Sequence, residues 1–132
     1  MEKKYDFIDR LVSFAGNVIL FVESIPKGKD GFYLFNQIMR SSGSAALNFA
    51  ESQGASSDKD YLNKAAIALK ELRETEVNFK IMAHVNYGDA QRRNELIKEN
   101  IELIKILNTI IKNRRNRSKN LINDLEEPYN LI

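Results

Sequence analysis

The chain of 132 residues contains no cysteine, no tryptophan, two prolines and a single histidine, His84. Without cysteine there is no disulfide, no thiolate zinc site and no cysteine nucleophile. The carboxylate di-metal centres of helical bundles need two Glu-x-x-His pairs, and here Ile81 stands where the glutamate before His84 would be. No glycine-rich phosphate loop occurs either. We therefore expect a protein without enzymatic activity, cofactor or metal.

The sequence also lacks a long apolar run. Near the N-terminus the longest uninterrupted one is Val18 to Val22, far shorter than the ~20 residues needed to cross a bilayer. Asp6, Asp9 and Arg10 interrupt the apolar region before it could act as the core of an export signal. We expect no membrane partner and a cytoplasmic location.

The net charge of the chain is small, but its charged residues are unevenly distributed along the sequence. The formal net charge is +2, which identifies no partner, yet residues 92–120 hold nine basic and three acidic side chains. Residues 121–132 hold three acidic side chains and no base. The late basic cluster predicts a site for a polyanion such as RNA, or else a solvated helix end, where cations suit the helix dipole. The candidate contacts are Arg92, Arg93, Lys112, Arg114, Arg115, Arg117 and Lys119.

Glycine and proline divide the chain into four long segments. Loops are predicted at 26–31, 54–58 and 86–89, with Gly88 placed to end a helix. The segments between them, 5–25, 31–53, 57–86 and 89–116, are apolar at helical spacing. Short connections predict an all-α, antiparallel up-down-up-down four-helix bundle over residues 1–118. Residues 119–132 are expected to form a loosely held tail.

Helices one and four each carry two neighbouring apolar rows. In helix one, the row that starts at Phe7 and Leu11 is followed one residue later by a row through Ile8, Val12 and Ile19. This apolar arc is wider than one bundle core usually needs. Either these helices are unusually central, or their outer flank packs on another subunit; we favour self-association.

Helices two and three carry polar residues at the spacing normally taken by core residues. Buried polar groups are costly unless each finds a partner. In one interpretation Arg40 pairs with Glu71 or Glu74, and Asn48 and the serines satisfy backbone groups. In the other, the row is partly open and binds a partner. We call this set the polar seam; its residues are Gln37, Arg40, Ser44, Asn48, Glu51, Lys70, Glu71 and Glu74.

Three stretches of the same two helices resemble one protein family. Residues 40–51 follow the pattern R-S-x-x-S-x-x-x-N-x-A-E, residues 57–61 follow S-x-x-D-(F/Y), and residues 68–75 follow A-L-K-E-x-x-E-T. In this order the patterns are similar to those of the four-helix-bundle proteins encoded in intervening sequences of bacterial 23S ribosomal RNA genes, often labelled S23 ribosomal proteins. The helix order fits this resemblance over residues 5–116.

The resemblance implies an up-down-up-down bundle that assembles as a ring, typically a homopentamer, with no established enzymatic activity. A related accessory protein of diversity-generating retroelements has a similar pentameric bundle and engages RNA and a reverse transcriptase. By that analogy we expect an RNA-associated scaffold or adaptor. The alternative is a protein–protein interaction module that uses the polar seam without nucleic acid.

Overall fold

The chain folds into four α-helices. The computed structural model describes the backbone of residues 4–26 and 28–130, and the side chains of 6–26, 28 and 31–121. The helices are α1 (Lys4–Glu23), α2 (Lys29–Ser52), α3 (Asp58–His84) and α4 (Ala90–Asn130). No strand occurs in these ranges. The predicted all-α four-helix bundle is confirmed.

Consecutive helices run antiparallel. Phe7, at the start of α1, stacks edge-on against Phe49, near the end of α2, with ring centroids 4.9 Å apart. Asp58, the first residue of α3, binds Arg114, late in α4. Each helix contacts the next one in the chain, and α4 also contacts α1, so the four close into a bundle.

Aromatic side chains fill the centre of the bundle. Phe14 and Phe21 of α1 both meet Phe79 of α3, at centroid distances of 6.5 and 6.2 Å, so the diagonal pair of helices is joined through the core. From α4, Leu103 and Leu107 are fully buried in the same cluster. The core therefore links all four helices.

Local side-chain chemistry explains where α3 begins and ends. The Ser57 hydroxyl accepts a hydrogen bond from the Asp60 amide and caps the helix start. At the other end Asn86 has a positive φ of 57°, and the Tyr87 amide donates to the Met82 carbonyl, as in a Schellman cap. The prediction that Gly88 ends the helix is thus corrected: Asn86 holds the left-handed position, and Gly88 lies in the loop.

Helix α4 is longer than the sequence pattern predicted. It runs to Asn130, whereas an end near residue 116 was predicted. Neither glycine nor proline interrupts residues 89–127, so nothing in the backbone stops the helix at Ser118. The expected tail is therefore helical through residue 130, and residues 131–132 lie outside the described ranges. In the described part of the chain, no helix has the length and hydropathy to span a membrane.

Candidate functional site

Arg40 lies at the centre of the polar seam. Its guanidinium binds Glu71 through Nη1 at 3.1 Å and Glu74 through Nη2 at 2.9 Å. The hydrogen bond to Glu74 contributes most to raising the pKa of Arg40. The side chain of Glu71 is 8% exposed, while that of Arg40 is 51% exposed. The guanidinium therefore compensates a buried carboxylate while the Arg40 side chain stays half exposed to solvent.

Most other polar side chains of this region satisfy one another or the backbone. Ser41 and Thr75 share a buried hydrogen bond of 2.7 Å between α2 and α3. The Asn48 amide donates to the carbonyl and hydroxyl of Ser44 within its own helix. At the far end of the seam, Lys64 pairs with Glu51 at 3.0 Å, and this contact raises the pKa of Lys64. Most polar side chains of the seam are thus engaged, in three separate groups: one around Arg40, one at Asn48 and one at Glu51.

The seam opens into a groove at Gln37 and Lys70. This α2–α3 groove has a volume of about 790 Å³ and is also lined by Arg40 and Glu74. The sequence pattern missed its apolar lining, which includes Tyr33, Val77 and Ile81. These three occupy neither the core rows nor the polar rows, so spacing alone did not single them out.

Two of the predicted RNA contacts have partners within the fold. Arg93 is 5% exposed, and its Nη1 donates to the Tyr87 carbonyl at 2.6 Å. Arg114 donates from Nε to Asp58 at 2.7 Å and lies 4.1 Å over the ring of Tyr61. Both guanidinium groups are thus engaged inside the chain, and their contact with RNA stays a prediction.

The remaining predicted contacts are exposed, and the structure adds two more cations to them. Lys98, Lys105, Lys112 and Lys119 recur every seven residues and therefore share one side of α4. Arg115 lies on the same side, three residues after Lys112. All five are exposed, and we call them the cationic face. Arg92 and Arg117 are exposed on other sides of the helix. The seven-residue repeat was the signal that would have identified Lys98 and Lys105.

The cationic face has little acidic charge around its second half. Residues 103–123 contain six basic side chains and no acidic one. Within the described part of the chain, none of the five cations forms an ion pair. The face extends over 22 residues, from Lys98 to Lys119, about 32 Å of helix. It is a row of positive charge that has no ion-pair partner among the described residues.

Neither surface resembles a metal centre. Among the described residues, no group of three or more histidine, aspartate or glutamate side chains converges closely enough to hold an ion.

Comparisons with known proteins agree with this architecture. No curated protein matches the chain. Among solved structures, it is similar to the 1.70 Å crystal structure of a protein with unknown function from the S23 ribosomal protein family of Bacteroides thetaiotaomicron VPI-5482. The two are 29% identical, with a TM-score of 0.75 over 80% of this chain and 98% of the other. The profile described as 23S rRNA-intervening sequence protein matches residues 3–109, so this chain belongs to that family.

Proposed function

We propose that this protein is a non-enzymatic, self-associating helical bundle that binds RNA in the cytoplasm through the cationic face of α4. The cationic face carries the proposal because its charges are exposed, lie on one side of α4 and form no ion pair with any described residue. A straight row of Lys and Arg neutralises phosphates and releases their counterions, irrespective of base sequence. The protein would thus act as a scaffold or adaptor on RNA.

Self-association is supported by apolar side chains that the single chain leaves exposed. On α1, Val12 and Leu20 are each 57% exposed, and Ile19 belongs to the same helix flank as Val12. Apolar surface of this kind marks a contact site. A ring, for which the family resemblance suggests five copies, repeats the cationic face in each subunit. Linked copies bind one RNA with far higher avidity than a single copy.

The test is the salt dependence of RNA binding. The probe is a fluorescein-labelled RNA hairpin, and anisotropy gives the association constant at several salt concentrations. Replacing Lys105 and Lys112 by alanine should reduce the slope of log K against log salt by about 1.4 to 1.8 per subunit that contacts RNA. The matched control replaces Lys59 and Lys80, two exposed lysines of α3, and should leave the slope unchanged. Absence of binding by the wild type at low salt, or an equal effect of both pairs, contradicts the proposal.

A second function, protein docking without nucleic acid, is favoured by the α2–α3 groove. Its exposed apolar lining has no role in the bundle core, and the polar seam gives it charged edges. If this is the main function, the protein binds no RNA hairpin even at low salt. Its self-association or partner binding is then lost when Val77 is replaced by glutamate, while Lys105→Ala has no effect.

A further inference from the structure

The α2–α3 groove has the surface of a docking site. Tyr33, Val77 and Ile81 line it and are 67%, 55% and 43% exposed. Leu34 and Leu69 form a half-buried floor between them. Large apolar side chains gathered in a concave surface favour an amphipathic helix as ligand, because its apolar side then leaves water.

The charge of the groove selects an acidic ligand. Arg40 is already held by Glu71 and Glu74. Lys70 and Arg73 also line the groove, are exposed, and form no ion pair with any described residue. A ligand whose carboxylates lie beside these two cations is attracted to the groove. The same contacts fix the position of its apolar side against the floor.

One segment of this chain has the matching chemistry. Residues 121–130, the last ten of α4, read LINDLEEPYN and combine apolar residues with three carboxylates and no base. Asp124, Glu126 and Glu127 supply the negative charge.

A chain cannot place this segment in its own groove. The Arg114–Asp58 ion pair marks the level at which α3 begins. From there α4 continues for 16 residues, about 24 Å, away from the bundle. The α3 residues of the groove, Ala66 to Ile81, lie in the opposite direction from Asp58. A continuous helix therefore carries its end away from the groove of its own chain.

We propose that residues 121–130 of one copy dock in the α2–α3 groove of a second copy. The donor segment and the acceptor groove are different surfaces, so the contact is head-to-tail and closes into a ring when the rotation between copies permits. The inference rests on the self-association in the proposed function and assigns it a specific interface.

A charge exchange tests the pairing. The groove variant carries Lys70→Glu and Arg73→Glu; the tail variant carries Glu126→Lys and Glu127→Lys. Each variant alone juxtaposes like charges, so its dissociation constant should rise roughly a hundredfold. All four substitutions in one chain restore opposite charges at every interface, so this chain should reassemble. The control, Lys59→Glu with Lys80→Glu, changes two exposed lysines of α3 outside the groove and should assemble like the wild type.

Light scattering after size exclusion measures the mass, and far-UV circular dichroism verifies that each variant is helical. A monomeric wild type overturns both this interface and the proposed self-association. If the wild type assembles and the groove and tail variants assemble as well, only the proposed interface is overturned. The same holds if a chain with all four substitutions stays monomeric. If the wild type binds no RNA hairpin while the charge-exchange variants dissociate and reassemble as expected, the RNA function is overturned and the interface stands.

Discussion

Arg40 shows how one side chain is shared between fold and surface. It binds Glu71, which is almost fully buried, and Glu74, whose side chain is 38% exposed. A buried carboxylate that loses its cation keeps its desolvation cost, whereas an exposed one is hydrated again. The two ion pairs are therefore expected to differ in their contribution to stability.

We expect Arg40→Ala to lower the free energy of unfolding by about 1–3 kcal/mol, because it leaves Glu71 buried without its cation. Glu74→Ala should cost less than about 1 kcal/mol. Urea denaturation followed by circular dichroism measures both values. Lys70→Ala, next to the network but unpaired, is the control and should be close to neutral. Equal losses of unfolding free energy for Arg40→Ala and Glu74→Ala would contradict the expected difference between the buried and the exposed ion pair.

Asp58 predicts a pH dependence. The hydrogen bond from Arg114 lowers the pKa of Asp58 below its ordinary value of 3.8. The folded chain therefore keeps this carboxylate ionised at a pH where the unfolded chain protonates it. Its stabilising effect is complete above the unfolded pKa and is lost as the pH falls through the folded pKa. The melting temperature of Asp58→Asn, measured between pH 2 and 6, should fall less steeply in acid than that of the wild type. Parallel curves would exclude Asp58 as a source of acid sensitivity.

At the scale of elements, the α3–α4 connection is shaped by its contact with α1. Gly88 has a φ of +78°, and a Cβ built there would lie 2.5 Å from Cζ of Phe21. The loop thus needs a residue that tolerates the left-handed region and that leaves room for the Phe21 ring. Gly16 and Gly43 lie inside helices, with nothing within 4 Å of such a Cβ.

Gly88→Ala should therefore destabilise the protein by about 2–4 kcal/mol through backbone strain and overpacking. Gly16→Ala and Gly43→Ala should stabilise it by about 0.5–1 kcal/mol each, since alanine loses less backbone entropy in a helix. Thermal denaturation of the three variants measures the expected loss of stability at Gly88 and the expected gain at Gly16 and Gly43. A neutral Gly88→Ala would show that the loop can move away from Phe21.

At the scale of the whole molecule, the aromatic core makes the bundle one unit. Phe79 touches Phe14 and Phe21 across the diagonal of the bundle. Phe7 and Phe49 join the first two helices at one end. Phe35 meets Tyr87 of the α3–α4 connection, with ring centroids 6.2 Å apart. No helix has a separate core of its own.

Phe79→Ala should cost about 3–5 kcal/mol, because it opens a cavity at the point where helices meet across the core. Unfolding should remain one cooperative transition, with circular dichroism and tyrosine fluorescence giving coincident curves. Val77→Ala, two residues earlier and exposed, should cost less than about 1 kcal/mol. Separate transitions for the two probes would contradict a single core.

Much of the fold could be predicted from local pattern. The first three helices end within two residues of their predicted limits, because glycine, proline and capping residues act on the backbone beside them. The end of α4 was missed, since its acidic composition and Pro128 suggested a tail although nothing before residue 128 breaks the helix. Composition is a weaker guide than the absence of a helix breaker.

The candidate sites were predictable only in part. The seven-residue lysine repeat of α4 is visible in the sequence, but Arg93 and Arg114 look as available as Lys112. Their partners, the carbonyl of Tyr87 and the carboxylate of Asp58, decide otherwise. Asp58 lies 56 residues from Arg114, and no spacing rule connects such a pair.

By itself, the sequence of this protein determined four amphipathic helices, their antiparallel order and a basic fourth helix, because period, loop length and charge act between near neighbours in the chain. The tertiary structure alone decided which cations remain free, how Arg40 is shared and where the groove lies. Those properties depend on which distant side chains face each other once the helices pack. A buried carboxylate engages one cation, and the same packing leaves another exposed.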